Sequence, residues 1–143
     1  MERPPPRTQT LTRALGLLTL AGVVFATLYP FGPWRLQAAS PFAFLGAGLP
    51  RYWTGFDIAS NLLAYAVLAL ICSLGWAARQ APLTGIAVVS AACSVLSLGL
   101  ESAQGYLPTR VPSLLDWLAN SLGALTGASL GAVLNRAAAA AGC

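Results

Sequence analysis

The chain has 143 residues, 57% hydrophobic and 8% charged, with no lysine and no histidine. A soluble domain carries roughly 25% charged residues, so this composition excludes one and makes lipid the natural solvent. The net charge of +4 comes from arginines scattered without a basic run, which argues against a nucleic-acid partner, and the missing histidines exclude His-based triads and His metal sites.

Residues 1–13 are polar and proline-rich and read as a disordered cytoplasmic arm. Ala14–Tyr29 is apolar, and with Leu11, Thr12 and a snorkelling Arg13 it is long enough for a bilayer, which takes ~20 residues. It exceeds the ~7–15 apolar residues of a signal peptide and no small-x-small site follows promptly. A retained span is expected. Pro30 and Pro33 stop it. The linker 30–56 sets Phe31, Trp34, Phe42, Phe44, Tyr52, Trp53 and Phe56 among prolines and glycines. Such a segment belongs at headgroup level, with a short interfacial helix around Pro41–Leu49.

The second span is expected over Ile58–Ala78, entered through Asp57 and closed by Trp76 and Arg79, with a turn at Gln80-Ala81-Pro82. The third runs from Leu83 to Leu100 and continues through Glu101 and Gln104. Leu114–Leu134 is the fourth, and residues 137–143 form a low-complexity tail. The fold class is therefore all-α, an integral membrane four-helix bundle over residues 14–136 with an aromatic interfacial segment between helices 1 and 2. With the N-terminus inside, Arg3, Arg7, Arg13, Arg79 and Arg136 are cytoplasmic against Arg35, Arg51 and Arg110 outside, so both termini are expected in the cytoplasm. Cys72, Cys93 and Cys143 stand at unrelated spacings that fit neither a disulfide framework nor a zinc site. No metal and no cofactor is expected.

Under this topology the unusual polar residues gather at one extracytoplasmic end. Asp57 and Asn61 open the second span, Glu101 and Gln104 close the third, and Asp116 and Asn120 open the fourth, each pair on one helix face. The spacing Arg51, Asp57, Asn61 returns as Arg110, Asp116, Asn120 with one offset (110 − 51 = 116 − 57 = 120 − 61 = 59). N-capping accounts for an Asp at a helix start, but not for an Asn one turn deeper. Nor does it account for Glu101, at a C-terminus where the helix dipole disfavours an anion. An ion network of Glu101, Arg110 and Asp116 is expected. Ser90, Ser94, Ser97, Glu101 and Gln104 form a stripe on the third span, and Gly123, Gly127 and Gly131 a small-residue seam on the fourth.

Tyr29-Pro30-Phe31, Asp57-x3-Asn61, Glu101-x2-Gln104, Arg110 and Ser113-x2-Asp116-x3-Asn120-x2-Gly123 together resemble the VanZ-like family of small four-helix bacterial membrane proteins. The match covers roughly residues 25–135. Leu63-Ala64-Tyr65 stands where the family often carries Phe and Pro-Leu-Gly elements. The resemblance implies the inner membrane of a bacterium and the cell envelope as setting, with a glycopeptide-resistance role known for the founding member.

Three functions fit these residues. A binding or modulating protein would hold a polar, phosphate-bearing lipid or lipid-linked envelope precursor, with Arg51 and Arg110 on the anion. Asn61, Gln104 and Asn120 would orient it, and the aromatic linker would act as a lid. An enzyme acting on a lipid-linked substrate would divide acid and base work among Asp57, Glu101 and Asp116, but Ser113 lacks a His or Lys to activate it. A scaffold subunit of a larger membrane complex would use the cluster only to fix its fold.

Overall fold

The computed structural model describes residues 6–75 and 81–142. The chain forms α1 (Pro6–Leu28), α2 (Gly55–Leu74), α3 (Pro82–Gln104) and α4 (Leu114–Ala140), with one 3-10 turn at Ala43–Gly46. All four helices contain a stretch long and apolar enough to cross a bilayer. The described residues include no strand.

Helix boundaries follow local chemistry. α1 begins at Pro6 rather than after residue 13, because proline suits a first helical turn and nothing after it interrupts the helix. The expected disordered arm is thus helical from Pro6, and residues 1–5 lie outside the described part. α2 begins at Gly55, ahead of Asp57, because Thr54 is its N-cap: Thr54 Oγ1 accepts from Asp57 N at 3.1 Å and Asp57 Oδ2 accepts from Thr54 N at 2.9 Å. α3 has Pro82 in its first turn. α4 runs past the expected Leu134 through Ala140, since a run of alanines is the best helix former available. The closure of the second span at Trp76 and Arg79 falls outside the described residues, as does Gln80.

Three glycines set the packing. A Cβ on Gly123 would meet the backbone of Leu62, one on Gly127 the backbone of Ala66, and one on Gly131 Leu70 O at 3.2 Å and the Ser73 side chain at 2.6 Å. Both series ascend together, so α2 and α4 run parallel in backbone contact, and theirs is the most extensive interface in the bundle. α3 lies antiparallel to α4: Ser94 Oγ is 2.8 Å from Ser121 Oγ, and Asn120 Nδ2 donates to Ser97 Oγ at 2.9 Å. α1 is peripheral. It runs antiparallel to α2, with Gly16 near Ile71 and Thr12 near Gly75. The core joins Val23, Tyr65, Leu68, Ala69, Val89, Cys93, Leu100, Ala124 and Ala128.

Candidate functional site

The end of α1, the start of α2, the end of α3 and the start of α4 come together at one end of the bundle, as the antiparallel path requires. This end collects the polar residues named above, but it divides them into groups with different surroundings.

The first group closes α1. Pro30 and Pro33 prevent the helix from continuing, leaving its last carbonyls short of partners. Gln104 Nε2 donates to Thr27 O at 3.2 Å, Arg110 Nη2 to Ala26 O at 2.8 Å and Arg110 Nε to Tyr29 O at 2.9 Å. Arg110 therefore caps α1 instead of pairing with Glu101 and Asp116, and the expected ion network is replaced by side chain-to-carbonyl bonds. The cause is geometric: unsatisfied carbonyls at a helix C-terminus carry negative partial charge and compete well for a guanidinium. Tyr29, Pro30 and Phe31 are the turn being clamped, with the Phe25 ring tilted against those of Tyr29 and Phe31 at separations of 5.4 and 5.6 Å.

The second group is buried between α2, α3 and α4. Glu101 is 3% exposed and accepts from the backbone N–H of Ser113, the N-cap of α4, at 2.9 Å. Ser113 Oγ in turn accepts from Asp116 N at 3.3 Å. Asn61 from α2 lies near the Asp116 carboxylate, which is half-buried in the first turn of α4. One turn deeper, Asn120 is 4% exposed; its Nδ2 is bonded to Ser97, while its Oδ1 is buried with no partner. Tyr65 of α2 is buried as well. Trp117 Nε1 donates to Ser94 O at 3.2 Å. Thus Asn61, Glu101, Ser113, Asp116 and Asn120 are brought together around the α2–α4 seam, while Asp57 stays exposed with its carboxylate bonded to Thr54. Among the described residues no group of three or more acidic, cysteine or histidine side chains is arranged to hold a metal.

The third group is on the surface. Arg51, Tyr52, Trp53, Thr54 and Asp57 line an open depression of about 390 Å³ just before α2. The Arg51 guanidinium lies over the Tyr52 ring, 5.8 Å from its centre. The linker leading here crosses the α3–α4 turn: Arg35 N donates to Tyr106 O at 2.9 Å, and the Gln37 amide occupies the space a side chain at Gly105 would need. Phe44 is buried within its 3-10 turn, whereas Trp34, Leu36, Phe42, Leu49, Tyr52, Trp53 and Phe56 are exposed.

Thr54 is the site residue that the spacing argument passes over. The signal was present as Thr54-x2-Asp57, which matches Ser113-x2-Asp116 at the same offset of 59 (113 − 54).

The VanZ/LLP1 family model matches residues 8–135. No curated protein and no solved structure matches the chain. That span takes in α2 and α3 whole, most of α1 and α4, the α1 clamp, the buried cluster and the depression at Arg51, and the chain belongs to the VanZ/LLP1 family of membrane proteins.

Proposed function

We propose that this protein sits in the inner membrane of a bacterium and binds, at its extracytoplasmic face, a phosphate-bearing lipid or lipid-linked envelope component. The observation that carries this reading is the depression lined by Arg51, Tyr52, Trp53, Thr54 and Asp57. It stands at the point where a helix able to span the membrane begins, so its mouth lies at headgroup depth. Arg51 is exposed, whereas Arg110 is half-buried with its Nε and Nη2 bonded to carbonyls at the end of α1. Arginine binds phosphate through a planar, multidentate fork. The buried cluster of Glu101, Ser113, Asp116, Asn61 and Asn120 supports this mouth by fixing the start of α4 against α2 and α3. A lipid-linked wall precursor as ligand would connect the protein to glycopeptide resistance.

Native mass spectrometry of the protein released gently from membranes tests the reading. Wild type should carry a discrete phospholipid or lipid-linked phosphate that is lost in folded Arg51→Ala. A lipid-free protein, or equal retention by the variant, would move the assignment to a subunit of a larger membrane complex, the function that needs no ligand at this end.

A further inference from the structure

The depression at Arg51 is not built for a simple anion. It is lined by one cation and one carboxylate, Arg51 and Asp57, with the rings of Tyr52 and Trp53 beside them. A ligand bearing only negative charge would satisfy Arg51 but face Asp57.

Resting on the phosphate-recognition reading above, we propose that this depression takes a zwitterionic headgroup of the phosphoethanolamine type, with phosphate on Arg51 and ammonium on Asp57. Three observations carry it. Asp57 is held in place rather than swinging, because its Oδ2 takes both the Thr54 N–H at 2.9 Å and the Thr54 hydroxyl at 2.7 Å, and Oδ1 is not used by this cap. Tyr52 and Trp53 are well exposed; Arg51 lies over the Tyr52 ring, and the Trp53 ring is the aromatic face left for an ammonium. Leu49 in the linker and Phe56 in the first turn of the α2 span are exposed apolar side chains, which places the charge pair beside lipid rather than in open water. A bilayer lipid, not a soluble zwitterion, is the source this setting favours.

The test is a native mass spectrometry titration of the detergent-solubilised full chain with phosphatidylethanolamine, phosphatidylglycerol and soluble phosphoethanolamine. Wild type should retain phosphatidylethanolamine on the order of tenfold better than phosphatidylglycerol, the combined effect of one exposed ion pair and one cation–π contact. Asp57→Asn should bind both lipids about equally, and Arg51→Ala should lose both. Equal retention of the two lipids by wild type, or an unchanged preference in Asp57→Asn, overturns the zwitterion while Arg51→Ala still upholds phosphate recognition. Retention of both lipids by Arg51→Ala removes the phosphate reading itself. Competition by the soluble headgroup at concentrations equal to the lipid overturns the bilayer source. Should Asp57→Asn fail to fold, the wild-type lipid ratio decides.

Discussion

Glu101 Oε2 accepts the backbone N–H of Ser113 at 2.9 Å, and in doing so it takes a place that the first half of the chain gives to Asp57. Thr54 and Asp57 form a complete capping box at the start of α2, each bonding the other's backbone. Ser113 and Asp116 have the same spacing at the start of α4, yet only the forward half is made locally. The return bond comes from α3. This leaves the Asp116 carboxylate free of its own helix cap and near Asn61 at the α2–α4 interface. A repeated local motif has become, in its second copy, a contact among three helices.

The consequence is measurable. Glu101→Gln keeps an oxygen for the Ser113 N–H and should unfold within a few degrees of wild type. Glu101→Ala leaves that donor buried and unpaired, at a cost of about 1–3 kcal/mol, with a cavity added to it. Thermal unfolding in detergent, followed by circular dichroism, compares them. Equal loss from both substitutions would mean that something other than the acceptor oxygen matters at this position.

The glycine seam predicts a graded series. Gly123→Ala and Gly127→Ala would drive a Cβ into the backbones of Leu62 and Ala66, which cannot rotate away. Each should cost on the order of 1–3 kcal/mol, as overpacking generally does. Gly22→Ala on α1 meets nothing within 4 Å and removes a flexible residue from a helix, so it should be neutral or slightly stabilising. Fluorescence-detected size-exclusion after heating ranks the three variants. A Gly123→Ala protein as stable as Gly22→Ala would contradict the parallel backbone contact.

Much of this architecture is legible in the residues. The four apolar stretches are separated by prolines or polar turns, and their antiparallel order is enough to gather Asp57, Glu101 and Asp116 at one end. The glycines of α4 announce a close helix contact, although nothing in their spacing says that α2 rather than α3 provides it. Arg110 is where charge counting misleads. Two carboxylates nearby make an ion pair attractive on paper, but the open carbonyls at Ala26 and Tyr29 lie more than 80 residues away in sequence and become visible only once α1 and the α3–α4 turn are adjacent. Thr54 differs: its partner is only three residues away, but it stands among the aromatic residues of the linker, whose composition marks the membrane surface rather than a helix cap.

Arg110 and Gln104 act on α1 alone, so their loss should be local. In Arg110→Ala the last turn of α1 loses two bonds, and amide hydrogen exchange should accelerate in the peptide covering residues 26–33 while α2 and α4 retain protection. Arg110→Lys restores charge but not the forked geometry and should recover only part of that protection. Global loss of protection would mean that α1 is integral to the bundle rather than clamped to its side.

The orientation can be read directly from which end of the bundle meets water outside the cell. In a background with Cys72, Cys93 and Cys143 replaced, Ala47→Cys lies in the exposed linker and Ala139→Cys in the exposed last turn of α4, at opposite ends of the molecule. A membrane-impermeant maleimide should label Ala47→Cys in intact cells and label Ala139→Cys only after permeabilisation. The arginine distribution favours this outcome only five to three, so the experiment has real power. The reverse pattern would put Arg51, Asp57 and the buried cluster at the cytoplasmic leaflet. The headgroup argument would survive that reversal, because it depends on interfacial depth and charge pairing, but an extracytoplasmic wall precursor would no longer be within reach of the site.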